Sequence, residues 1–60
     1  MENEFETEAR RILERHGCKL ISMISETKCV WENKIGIQRS DDVFVLRNMS
    51  EENFEYWANN

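Results

Sequence analysis

The apolar positions of the chain follow two different periods. Phe5, Ala9, Ile12, Leu13 and His16 recur at three- and four-residue steps and mark the inner face of a helix predicted from about Glu4 to His16. Asn3 stands where an N-cap belongs, Glu6 completes a capping-box spacing, and Gly17 is the expected left-handed stop. Glu2, Glu4, Glu6 and Glu8 gather at the start, and Arg10, Arg11, Arg15 and His16 at the end, the order a helix dipole favours. Glu6–Arg10 and Glu8–Arg11 are spaced as ion pairs along this helix.

Beyond Gly17 the pattern turns strand-like. Cys18 to Ser25 carries Leu20, Ile21, Met23 and Ile24; Lys28 to about Gln38 reads as one long strand kinked at Asn33–Lys34; Val43 to Arg47 is a run of β-formers. Glu26–Thr27 and Arg39–Asp42 are the polar turns between them. A tight first turn sets Ile24 opposite Cys29 and Ser22 opposite Trp31, and leaves Cys18 near Ile35, so a Cys18–Cys29 bridge needs another register. The longer second loop sets Ile37 opposite Phe44 and Ile35 opposite Leu46. Leu20, Ile24, Cys29, Trp31, Ile35, Ile37, Phe44 and Leu46 then share one apolar face.

The other face mixes Lys19, Lys28, Glu32, Lys34 and Gln38 with Ile21, Met23, Val30, Val43 and Val45. Those apolar members form either an exposed patch or the seat of a helix, and periodicity does not choose between the two. At the end, Ser50 is an N-cap followed by Glu51 and Glu52, and Met49 and Phe54 are placed as a hydrophobic staple. Phe54, Trp57 and Ala58 share a face, and Asn59–Asn60 is expected to fray. The predicted fold is α+β in the order α-β-β-β-α, a three-stranded antiparallel sheet with two helices, one domain over residues 1–60.

Composition narrows the function. A 60-residue chain hides only about 60% of its unfolded surface, which leaves little room for a walled active-site cleft. Twelve acidic residues against eight basic ones give a net charge of −4, against a general nucleic-acid binder and in favour of docking on a basic surface. There is no apolar run of about 18 residues and no signal-peptide core, so no membrane contact is expected and the cytoplasm is the expected compartment, with both cysteines as thiols. Cys18, Cys29 and His16 lack a spaced fourth ligand, so neither metal nor cofactor is expected. His16 reads as a helix C-terminal cap rather than a base, since no nucleophile stands at a supporting spacing. Asp41–Asp42 and Glu51–Glu52 read as solvated caps, and the two glycines are too isolated to cradle a phosphate. The expected protein is therefore not an enzyme. The alternative is a small RNA-binding module, with Lys19, Lys28, Lys34, Arg39 and Arg47 interleaved with Trp31 on the sheet.

The helix–three strands–helix order also matches HicA-type ribonuclease toxins, but Ser25-Glu26-Thr27-Lys28 stands where those carry a catalytic histidine. In size, acidity, element order and the mid-sheet tryptophan of Cys29-Val30-Trp31-Glu32-Asn33, the chain resembles the Dmd-like antitoxins of T-even-type bacteriophages. That resemblance implies a viral protein, made in the host cell cytoplasm, that blocks a host endoribonuclease toxin of the RnlA or LsoA type by direct binding. It makes Trp31 the expected toxin contact, with Glu32 and Asn33 beside it and Ser40 and Asp41 in the polar turn. Pattern alone places Trp31 in the core.

Overall fold

The computed structural model of the chain describes residues 3–60, so Glu2 lies outside it. The elements are α1 (Glu4–Arg15), β1 (Lys19–Met23), β2 (Lys28–Glu32), β3 (Gln38–Asp42), α2 (Val43–Asn48) and α3 (Glu51–Asn59). The fold is α+β with the order α-β-β-β-α, and its helical end is split in two. The sheet is antiparallel in the order β1-β2-β3, so β1 and β3 are its edges.

Local signals set both ends of α1. Asn3 Oδ1 accepts the Glu6 amide at 2.7 Å, satisfying one of the open donors of the first turn. Glu6 does not reach back as a capping box; its carboxylate takes Arg10 at 3.2 Å. At the far end Gly17 adopts φ +77°, and the amides of Gly17 and Cys18 bond the carbonyls of Glu14 and Leu13. That bonding pattern is a Schellman stop, and the left-handed turn needs a residue without Cβ.

Three expectations about the sheet are corrected. First, Val43–Arg47 is helical, and the supposed turn at Arg39–Asp42 belongs to β3. Asp42 caps the new helix, its Oδ1 accepting the Phe44 amide at 2.9 Å. Val43 and Leu46, three residues apart, then reach the core together, and their burial outweighs the β-propensity of the run. Second, the long strand ends at Glu32. Asn33 Oδ1 accepts the amides of both Ile35 and Ile37, Gly36 takes φ +86°, and the chain reverses into β3. Third, the β1–β2 register pairs Met23 with Cys29 and Ser22 with Val30, then shifts so that Leu20 pairs with Trp31. The bulge at Ile21 is what turns both Leu20 and Met23 inward, an i,i+3 spacing that a regular strand cannot bury on one face.

One core results. Ala9, Ile12 and Leu13 of α1, Leu20, Cys29 and Trp31 of the sheet, Val43 and Leu46 of α2, and Phe54 and Ala58 of α3 pack together with Cys18. All three helices thus cover the same sheet face. Of the predicted apolar face, Leu20, Cys29, Trp31 and Leu46 are buried, whereas Ile24, Ile35, Ile37 and Phe44 are exposed. Of the apolar residues assigned to the other face, Val43 is buried and Val45 stands exposed on α2. Only Ile21 and Val30 remain on the uncovered face, beside Lys19, Ser22, Lys28, Glu32, Gln38, Ser40 and Asp42.

α3 starts as expected, with Ser50 Oγ accepting the Asn53 amide at 3.1 Å. Its last residues, expected to fray, are hydrogen-bonded in place. The Asn59 and Asn60 side-chain amides bond the carbonyls of Glu55 and Tyr56, while Asn33 Nδ2 and the Lys34 amide bond those of Trp57 and Ala58.

Candidate functional site

The accessible apolar surface gathers where α2 meets α3. Once Asp42 caps α2, Val43 and Leu46 face inward and Phe44 and Val45 are left outside, 43% and 49% exposed. With Asn48, Met49 and Asn53 they line an open groove of about 490 Å³. The groove carries no charged residue, in a chain whose residues are one-third charged. Carboxylates bracket α2 along the chain, Asp42 before it and Glu51 and Glu52 after the Met49–Ser50 link.

Phe44 is exposed but held. The Phe5 ring meets it edge-on at 5.6 Å, and the Arg47 guanidinium lies 4.8 Å from its centroid. Arg47 is fixed in turn by Glu8, with Nε and Nη2 reaching the two carboxylate oxygens at 2.7 and 2.5 Å. That two-pronged bond, expected of Glu8 with Arg11 and found across to α2, lowers the Glu8 carboxyl below its ordinary range and raises Arg47. The aromatic side chain therefore enters any contact with much of its rotamer freedom already lost, which reduces the ordering cost of binding.

The five residues singled out by the resemblance are not gathered into one accessible site. Trp31 has 0% exposure; its Nε1 donates to Asp41 Oδ2 at 2.8 Å and its ring lies 5.8 Å from that of Phe54. A side chain without accessible surface presents nothing to a partner docking on this fold, so Trp31 is a core residue, as its place in the apolar pattern indicated. Asn33 is buried as well, at 4%, and all its side-chain bonds are to the turn and α3. Glu32 and Ser40 lie on the uncovered sheet face, and Asp41, half-buried, faces the core edge opposite Cys29.

The basic residues are equally dispersed. Arg39 stacks on the Trp57 ring at 3.8 Å, Lys34 pairs with Glu55 at 3.8 Å, and Arg47 is held by Glu8. Lys19 and Lys28 stay exposed but register with Glu32 and Asp42. The sheet therefore carries mixed charge and no cationic track.

Nor do the candidate nucleophiles converge. Cys18 and Cys29 are free and buried, and burial raises both thiols, Cys29 to about 11 with Asp41 and Asp42 adding to the effect. His16 caps α1 and stacks on Phe54 at 4.0 Å, with Glu51 3.8 Å from Nε2. Among the described residues no His, Cys, Asp and Glu side chains are grouped to hold a metal ion, and no helix is long and apolar enough to cross a membrane. The groove is hidden in the sequence because Val43–Arg47 is a run of β-formers; the Asp immediately before it is the available sign of a helix start. Set against protein-family models, curated proteins and solved structures, the chain matches none.

Proposed function

We propose that this domain acts by binding another protein and covering its working surface, with no chemistry of its own. The observation that carries the reading is the uncharged groove of Phe44, Val45, Asn48, Met49 and Asn53, with a preset aromatic side chain and carboxylates on either side of α2. A basic surface with an apolar recess fits that arrangement: the aromatic supplies contact area and the acids meet cations at the rim. An RNA-binding groove of a ribonuclease has this character. The resemblance to phage antitoxins makes a host endoribonuclease toxin the specific partner proposed, with the groove replacing Trp31 as the contact.

The test is inhibition of a purified RnlA- or LsoA-type endoribonuclease by the purified domain. Val45→Lys adds a charge of the partner's own sign to an exposed groove position and should abolish inhibition while leaving thermal melting nearly unchanged. Cleavage undiminished at saturating wild-type domain would remove the antitoxin reading. Equal inhibition by Val45→Lys would remove the groove as the contact.

A further inference from the structure

We propose that β3 is a self-recognition edge, through which two copies of this chain join into one continuous antiparallel sheet. β3 is an edge strand, and among the described residues no strand pairs with its outer side. The bonds Asn33 N–H to Ile37 C=O and Val43 N–H to Thr27 C=O fix which residues point which way. In the same ladder Cys29 faces Asp41 and Trp31 faces Arg39. By the alternation of antiparallel pairing, Arg39 and Asp41 turn their backbone groups toward β2. Gln38, Ser40 and Asp42 turn theirs to the free edge.

The side chains of this strand are complementary to themselves. Laid antiparallel on its own copy and centred on Ser40, the stretch Gln38-Arg39-Ser40-Asp41-Asp42 sets Arg39 opposite Asp41 of the second copy, and Asp41 opposite its Arg39. Gln38 meets Asp42. The backbone agrees with this register. Gln38, Ser40 and Asp42, whose groups face outward, become the hydrogen-bonded pairs. Arg39 and Asp41 become the non-bonded pairs, where side chains stand closest. Asp41 binds Trp31 through Oδ2 alone, and among the described residues no bond to its Oδ1 is seen.

Charged residues on an edge strand usually keep other strands away. Here they do so selectively. A strand of other sequence offers Arg39 and Asp41 no counter-charge across the seam, while the same strand reversed adds one to each, beside the contacts they already make with Trp57 and Trp31. The opposite edge lacks this property, since β1 is bulged at Ile21 and its free side is irregular. The contact is one short strand wide, so the association is weak and concentration-driven. It uses no groove residue and shares only Asp42, at the groove's rim, with the partner reading above.

Sedimentation equilibrium from low micromolar to about 1 mM should show a reversible monomer–dimer equilibrium. Ser40→Pro deletes an N–H that points away from β2, a position where an edge strand tolerates proline, and should abolish the dimer. Gln38 is exposed on the uncovered face, so its variants leave the core alone. Gln38→Lys, facing Asp42, should tighten the dimer about two- to thirty-fold over its two symmetric pairs, and Gln38→Asp should weaken it by a similar factor. A chain that stays monomeric throughout, or a dimer indifferent to both Gln38 variants, would overturn the proposal.

Discussion

Replacing Trp31 tests the account of the core most directly. The ring is fully buried against Phe54, and its N–H is the donor to Asp41 Oδ2 at 2.8 Å. Truncation to Ala leaves a cavity costing about 3–5 kcal/mol. The orphaned, half-buried Asp41 carboxylate adds about 1–3 kcal/mol. A 60-residue chain has roughly 3–9 kcal/mol of stability in all, so Trp31→Ala should lose most or all of it, seen as a large fall in the urea midpoint. Trp31→Phe keeps most of the packing and loses the donor; it should remain folded, weakened by about 1–3 kcal/mol. In Asp41→Asn the side-chain oxygen still accepts the indole N–H, so the loss should be smaller than for Trp31→Phe. Urea unfolding followed by far-ultraviolet circular dichroism gives the ranking, with Trp57 as a second, fluorescent reporter. A Trp31→Ala protein with the wild-type midpoint would refute the reasoning, because it would mean that the ring is not packed as described.

Asn33→Ala removes the acceptor for the Ile35 and Ile37 amides and the donor to the Trp57 carbonyl; a loss of about 2–3 kcal/mol is expected, read as a fall in thermal midpoint. Gly36→Ala meets no atom within 4 Å but must hold φ +86°, so it should cost about 1–2 kcal/mol from backbone strain alone, against the negligible change expected of an exposed position with ordinary backbone. Cys29 is raised to about 11 in the fold, so its contribution is fully present below the ordinary thiol range and is lost as pH rises toward 11; urea midpoints should fall over that interval, and Cys29→Ala should flatten the fall. Glu8 is lowered by Arg47, so its contribution is present above the ordinary carboxylate range and lost as pH falls through its depressed value; Glu8→Gln should reduce the acid sensitivity of the melting temperature.

What could be read from the residues was what neighbours in sequence decide. Asn3, Gly17 and Ser50 act within a turn of themselves, and each stands where its residue type placed it. β3 was not legible for the opposite reason. Gln-Arg-Ser-Asp-Asp has no strand pattern, and it is extended because β2 and the Asn33 turn present it with a ladder. Val43–Arg47 misled in the same way: its β-formers obey Asp42 on one side and the core on the other. Trp31 fell on the apolar face in the periodic reading and lies in the core. The resemblance, which carries no information on burial, pointed it outward. The groove at Phe44 and Val45 followed from neither, because it exists only once α2 is known to be a helix.

The end of α3 has a consequence for the order of folding. Its last open carbonyls, Trp57 and Ala58, are closed by Asn33 and by the amide of Lys34, residues far back in the chain. The helix is thus closed by the reversal between β2 and β3 as well as by its own Asn59 and Asn60. A peptide of the last dozen residues lacks the donors of the reversal and is too short to hold a helix alone. The reversal, for its part, loses its backing if α3 is absent. The two are therefore expected to gain stability together, late in assembly, once β2 and β3 have paired. Substitutions confined to α3 should accelerate unfolding while leaving the refolding rate nearly as it was.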